Sequence, residues 1–136
     1  MLMSEDKAEK LGLTPIAKII SQASSAHEPE WFTTAPVKAM KKAVKKANLS
    51  MNDIDLFEVN EAFSVVTMAA EKDLSLDSEK VNVLGGAVSM GHPIGASGAR
   101  IICTLLNAMQ QKNVKNGMAS ICIGGGEASA IIVEKI

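Results

Sequence analysis

Residues 118–133 read MASICIGGGEASAIIV: an apolar run, three consecutive glycines, and a second apolar run. Glycines put no side chain in the way of a tight reversal. Met118 to Ile123 and Ala128 to Val133 are therefore expected as two short strands paired antiparallel. Working outward, Ile54 to Val59 is short, apolar and preceded by the turn-like Asn52-Asp53, the pattern of a buried strand. Ile16 to Ser25 is a further candidate strand. Between these lie helical stretches: Glu5 to Leu11, stopped by Gly12; Val37 to Ala47, entered through the Pro- and Thr-bearing loop His27 to Pro36; Glu61 to Lys72; and Ala99 to Asn113, with Ser97 placed as its N-cap. Strands and helices that alternate before a terminal hairpin predict an α/β domain with a mixed sheet and helices on both faces.

The 136 residues make one domain's length, and 47% of them are hydrophobic, so a single packed core is within reach. Fourteen Lys plus Arg against fifteen Asp plus Glu leave a net charge of −1, which gives no pull toward nucleic acid or an anionic membrane. Aromatics are 3% of the chain, so base-stacking platforms are nearly absent. Cys103 and Cys122 form no CxxC pair, and with two histidines in all no zinc site is expected. Unpaired cysteines fit a reducing compartment. Met1-Leu2-Met3 runs straight into Ser4-Glu5-Asp6, with neither the basic nor the apolar region of a secretory signal, and a cytoplasmic location is expected. The uncharged stretch Val81 to Ala99 holds five glycines, Pro93 and His92, too broken to span a bilayer.

The helix Val37 to Ala47 gathers Val37, Met40, Ala43, Val44 and Ala47 on one side, and Lys38, Lys41, Lys42, Lys45 and Lys46 on the other. A lysine face is the ordinary solvated side of such a helix, and no phosphate site is placed there. In Glu61 to Lys72, by contrast, the apolar residues surround nearly the whole helix, which therefore wants cover on all sides.

Three places carry chemistry. His92 sits in GGAVSMGHPIGASGAR, residues 85–100, where glycines strip bulk from around the imidazole, Pro93 stiffens the loop, and a helix N-terminus adjoins. A positioned histidine and an incidental one both fit. Cys122 ends a strand before the glycines, beside backbone N–H groups suited to a negative oxygen; it also reads as a small buried hydrophobe. Cys103 falls in an apolar helix face and reads as structural. Asn60 and Glu61 stand where strand meets helix, a place that favours capping when read alone and also suits a ligand crevice. Asn60, His92 and Cys122 together also permit a cysteine hydrolase.

NEAF at Asn60 to Phe63, GHPIGASGAR at Gly91 to Arg100 and CIGGG at Cys122 to Gly126 resemble, in order, the three C-terminal signature motifs of the thiolases. The resemblance covers essentially the whole chain and favours the biosynthetic acetoacetyl-CoA branch of the family. It implies the C-terminal thiolase half as a single domain over residues 1–136: a five-stranded mixed sheet between helices, its first strand truncated. Glu61 to Lys72 would pack against its counterpart in an N-terminal half.

The activity implied is a Claisen exchange between acetyl-CoA and acetoacetyl-CoA, with CoA thioesters as substrates and no further cofactor. By resemblance His92 activates a nucleophilic cysteine and donates to the enolate oxyanion, Asn60 holds a water in that hole, Cys122 moves the Cα proton, and the Gly124 N–H helps form a second oxyanion hole. A thiolase is about three times this length, and its nucleophilic cysteine, matched by neither Cys103 nor Cys122, belongs to the N-terminal half. The chain alone is thus expected to be inactive, and either to join such a half or to self-associate through the Glu61 to Lys72 face. The alternative is a non-enzymatic fragment or interaction module that keeps the fold.

Overall fold

The computed structural model describes residues 1–136. Helix α1 (Glu5–Lys10) opens under the Ser4 side chain, which accepts from the Lys7 N–H, and Gly12 at φ +63° ends the segment. Strand β1 (Ala17–Ala26) follows. Helix α2 (Ala35–Ala47) begins two residues before the sequence pattern places it, because Pro36 is tolerated in a first turn where its missing N–H costs no bond. It ends at Asn48, left-handed at φ 55°. Strand β2 (Leu56–Val59), helix α3 (Ser64–Leu74), the single turn α4 (Ala87–Met90), helix α5 (Ser97–Lys112), strand β3 (Asn116–Ile123) and strand β4 (Glu127–Lys135) complete the chain.

The sheet has the order β1-β4-β3-β2. The glycine-linked β3 and β4 are antiparallel, β4 pairs antiparallel with β1, and β2 lies parallel to β3. The sheet is mixed, as expected, but it has four strands rather than five. The place of a fifth is held by one parallel bridge from Val81 to Phe57. Beyond it Asn82 turns left-handed at φ 48°, and its carboxamide does a strand residue's work. Its Oδ1 accepts from Val59 N–H and its Nδ2 donates to the Val59 carbonyl, both at 2.9 Å. A side chain saturates the β2 edge, so no further strand is needed there. The cut-short first strand expected at Met1-Leu2-Met3 does not form, those residues carrying no regular structure, and the other edge of the sheet is β1, ten residues long and paired from Ala17↔Lys135 to Ala26↔Glu127.

Alternation along the strands sorts two cores. On one face Met40 and Ala43 of α2 and Val66 and Ala70 of α3 meet Phe57, Val59, Met118 and Ile132. On the other, Ile101, Leu105 and Met109 of α5 meet Leu56, Ala119 and Val133. Helices therefore cover both faces, two on one side and one on the other. Within this chain α3 buries only Val66, Thr67 and Ala70, and Val65 and Met68 are left as exposed apolar surface on a helix whose sequence wants cover all round. The lysine face of α2 is not wholly solvated either. Lys42 and Lys46 reach the backbone carbonyls of Ser24 and Gln22 on the edge strand β1, at 3.2 and 3.0 Å. No helix is long and apolar enough to cross a membrane.

Candidate active site

The parallel pair β2–β3 ends on one side of the sheet, and that end collects the chemistry. Asn60 follows β2 directly and extends the pairing by one bond, its N–H donating to the Ser120 carbonyl at 2.9 Å. Cys122 is the next-to-last residue of β3, opposite Ala128, and Gly124 opens the turn just beyond. Helix α5 leads into the amino end of β3 through only three residues and so runs antiparallel to it; its own N-terminus stands at the carboxyl ends of the strands. His92 lies on the short loop that enters that N-terminus.

The imidazole is held by a residue expected to act elsewhere. Ser97 is not the N-cap of α5 but its first helical residue, fully buried; Ala96 takes the cap position without a side-chain bond. The Ser97 Oγ lies 2.6 Å from His92 Nδ1 and 3.1 Å from the Pro93 carbonyl oxygen. A carbonyl only accepts, so the single hydroxyl proton goes to Pro93, and the Oγ accepts from Nδ1–H. This assigns the ring proton to Nδ1 and leaves Nε2 as the free lone pair, the form a base requires. Gly91 at φ +92° lets the chain turn into this loop.

A turn further along α5, Arg100 donates from Nη2 to Asn60 Oδ1 at 3.4 Å. One helix terminus thus touches both His92 and Asn60. Beside them Glu61 closes a clasp: its carboxylate accepts from the Val88 N–H at 2.8 Å and from Asn82 Nδ2 at 3.3 Å. That fastens the segment leading to His92 onto the end of β2. Gly86 is required for the approach, since a Cβ there would fall 2.4 Å from the Glu61 carboxyl group.

Cys122 is buried, and desolvation pushes its thiol above the ordinary cysteine range. No hydrogen bond links it to His92 or Asn60, so the three do not form a connected thiol–imidazole–amide set. A raised thiol also runs against the depressed value that a cysteine nucleophile uses. Cys103 is exposed on α5. The turn after β3 is closed by Gly126 N–H to the Ile123 carbonyl at 3.2 Å, a bond that does not engage the exposed Gly124 amide. Glu58, a charged residue within a fully buried strand, lies beneath Asn60 on the α5 side; burial raises its carboxyl to about 7 against the opposing pull of Arg100. Sequence reasoning passed over Arg100 and Glu58 and gave Ser97 only a capping role. The signal for Glu58 was a lone carboxylate in an otherwise apolar run.

A concavity of about 670 Å³ lies at the opposite end of the sheet, against Met1 to Ser4, the start of β1 and Ile136, away from all of these residues.

The thiolase C-terminal domain family matches residues 13–135. The chain is 52% identical over its whole length to an acetyl-CoA acetyltransferase of Schizosaccharomyces pombe and 50% identical to one of Escherichia coli, spanning 34% of each. Among solved structures it resembles the acetyl-CoA acetyltransferase of Bacillus anthracis, with TM-score 0.96 and 42% identity. It also resembles human mitochondrial 3-ketoacyl-CoA thiolase, with TM-score 0.95 and 43% identity. In both cases 98% of this chain and 34% of the other is covered. The human enzyme is also known in complex with CoA. The chain therefore spans about a third of the length of these relatives.

Proposed function

The chain belongs to the thiolase family, as its C-terminal domain, and from that premise we propose that it supplies the acid/base half of an acetyl-CoA acetyltransferase. The reaction is the condensation of two acetyl-CoA to acetoacetyl-CoA and CoA, and its reverse. A nucleophilic cysteine comes from an N-terminal thiolase half, since neither thiol of this chain is placed for the task. The observation that carries the reading is His92: with the ring proton on Nδ1 and held by Ser97, Nε2 is a fixed base.

In the first step Nε2 takes the proton of the acyl-accepting cysteine, whose sulfur attacks the thioester carbonyl and expels CoA thiolate. Cys122, kept protonated by burial, gives its proton to that thiolate and becomes a thiolate itself. In the second step this thiolate removes a proton from the methyl carbon of the next acetyl-CoA. The resulting enolate oxygen is stabilised by the now cationic His92 and by Asn60, through a water it holds. The carbanion attacks the acyl-enzyme carbonyl, whose oxyanion faces the Gly124 N–H. Collapse releases acetoacetyl-CoA and restores the cysteine.

The test is acetoacetyl-CoA thiolysis by this chain, alone and mixed with a separately produced thiolase N-terminal half. Activity in the mixture only, abolished by His92→Ala, is the expected result. Activity of the chain alone would overturn the division of labour. Inactivity in both would favour a second reading, a module that keeps the fold without the reaction; the chain's span of a third of its relatives is what keeps that reading open.

A further inference from the structure

Asn60 is 1% exposed, and the only group of the chain that hydrogen-bonds its side chain is the Arg100 guanidinium. A guanidinium has donors and no acceptor, so the carboxamide atom that faces it is the oxygen. The amide is planar, and fixing Oδ1 fixes Nδ2 on the other branch, where it is buried and bonded to no group of the chain. Arg100 itself makes no ion pair: no carboxylate lies within 4.0 Å of it, and its contact is with the neutral amide instead. Glu58 lies two residues before Asn60 and on the same face of the sheet as α5, but burial raises its carboxyl to about 7 and it forms no ion pair with Arg100.

We propose that Arg100 is a positioning residue, which holds the Asn60 oxygen and so presents the two Nδ2 protons as the working donors of the site. This rests on the reading of Asn60 as part of an oxyanion hole. It adds what sets the orientation of that amide, the Arg100 guanidinium. An arginine serving only to neutralise Glu58 would make a bidentate contact with that carboxylate; the geometry aims it at Asn60.

The decisive pair is Asn60→Asp against Asn60→Ala in the complemented enzyme. Aspartate has the same shape and still faces Arg100 with an oxygen, but it has no donor at the other branch. Loss of kcat by about 100-fold, as large for aspartate as for alanine, is expected; near-normal turnover with aspartate would show that Asn60 works through oxygen and overturn the proposal. Arg100→Met is expected to lower kcat about tenfold or more with KM little changed, and Arg100→Lys, which retains a donor, to recover part of it. Unchanged kcat in Arg100→Met would equally overturn it.

A readout on the ¹⁵N-labelled chain needs no activity. The Asn60 side-chain amide resonance, assigned by its loss in Asn60→Ala, shifts in Arg100→Met and stays near its original position in Arg100→Lys. No shift in Arg100→Met, with the backbone spectrum preserved, refutes the positioning role. Should the wild-type mixture show no thiolysis, the functional reading fails while this spectrum still decides the role of Arg100.

Discussion

Glu58 is held against its chemistry. It is 2% exposed, with one carboxylate oxygen unpartnered, and burial raises its carboxyl from 4.5 to about 7 even though Arg100 pulls the other way. The native chain therefore binds a proton there more tightly than the unfolded chain does. Its stability falls as pH rises from about 4.5 to about 7, by up to about 3 kcal/mol from this group, and stays reduced above that window. Glu58→Gln keeps the shape and removes the charge. Urea unfolding across pH 5 to 8 should show the slope flattened in the variant, with the gain in stability confined to neutral and higher pH. An identical slope would place the proton elsewhere. The two thiols make a second residue-scale contrast. Cys103 is exposed, whereas Cys122 is buried with its thiol raised. Iodoacetamide at pH 8, followed by peptide mass mapping, should label Cys103 first and Cys122 at least about tenfold more slowly. Faster labelling of Cys122 would revive it as a nucleophile.

At the level of elements, the β3–β4 turn is built so that one glycine is indispensable and its neighbour is not. Gly126 sits at φ +84°, and a Cβ there would lie 2.3 Å from the His27 carbonyl oxygen and 3.0 Å from the Pro29 backbone. The nearest atom to a Cβ on Gly125 is a Glu127 carboxylate oxygen at 3.8 Å, an ordinary contact. Gly126→Ala should cost about 2–3 kcal/mol in urea unfolding and Gly125→Ala well under 1 kcal/mol; equal losses would mean that the His27 contact does not constrain the turn. The hairpin itself was readable in the sequence, because glycines between two apolar runs admit few other outcomes. So was α2, through its two cleanly separated faces. The fifth strand was not, because what replaces it is the side chain of Asn82, and no periodicity records a carboxamide bonding to a neighbouring strand. Ser97 misled for a related reason. A serine near a helix start is commonly a cap, and its capture by His92 depends on a loop geometry that local pattern does not encode. His92, Asn60, Cys122 and Gly124 were recognisable by family motif, and the structure gathers them at one end of the sheet. Arg100 and Glu58 come beside Asn60 only across the fold.

The molecule as a whole exposes more surface than its size calls for. A folded monomer of 14.3 kDa is expected to show about 6,800 Å², whereas this chain shows 7836 Å². The excess, about 1,000 Å², is close to the roughly 800 Å² that each partner contributes to a standard interface. Part of it is apolar and near the site: Phe63, Met68, Val88 and Ile94 are 62%, 63%, 69% and 83% exposed. They belong to α3 and its entry and to the segments flanking His92, so whatever covers them also closes the candidate site against water. Light scattering after size exclusion should therefore give a mass above 14.3 kDa that rises with concentration. An added thiolase N-terminal half should convert this to a defined heteromer. Phe63→Ser with Met68→Ser tests the surface itself, because both residues are largely exposed and their loss costs little in the core. If that double variant remains folded and associates as strongly as the parent, the α3 face is not the contact. The face of the sheet carrying only α5, where Ile102, Leu106, Ile121 and Ile131 are half-buried, would then be the surface in use.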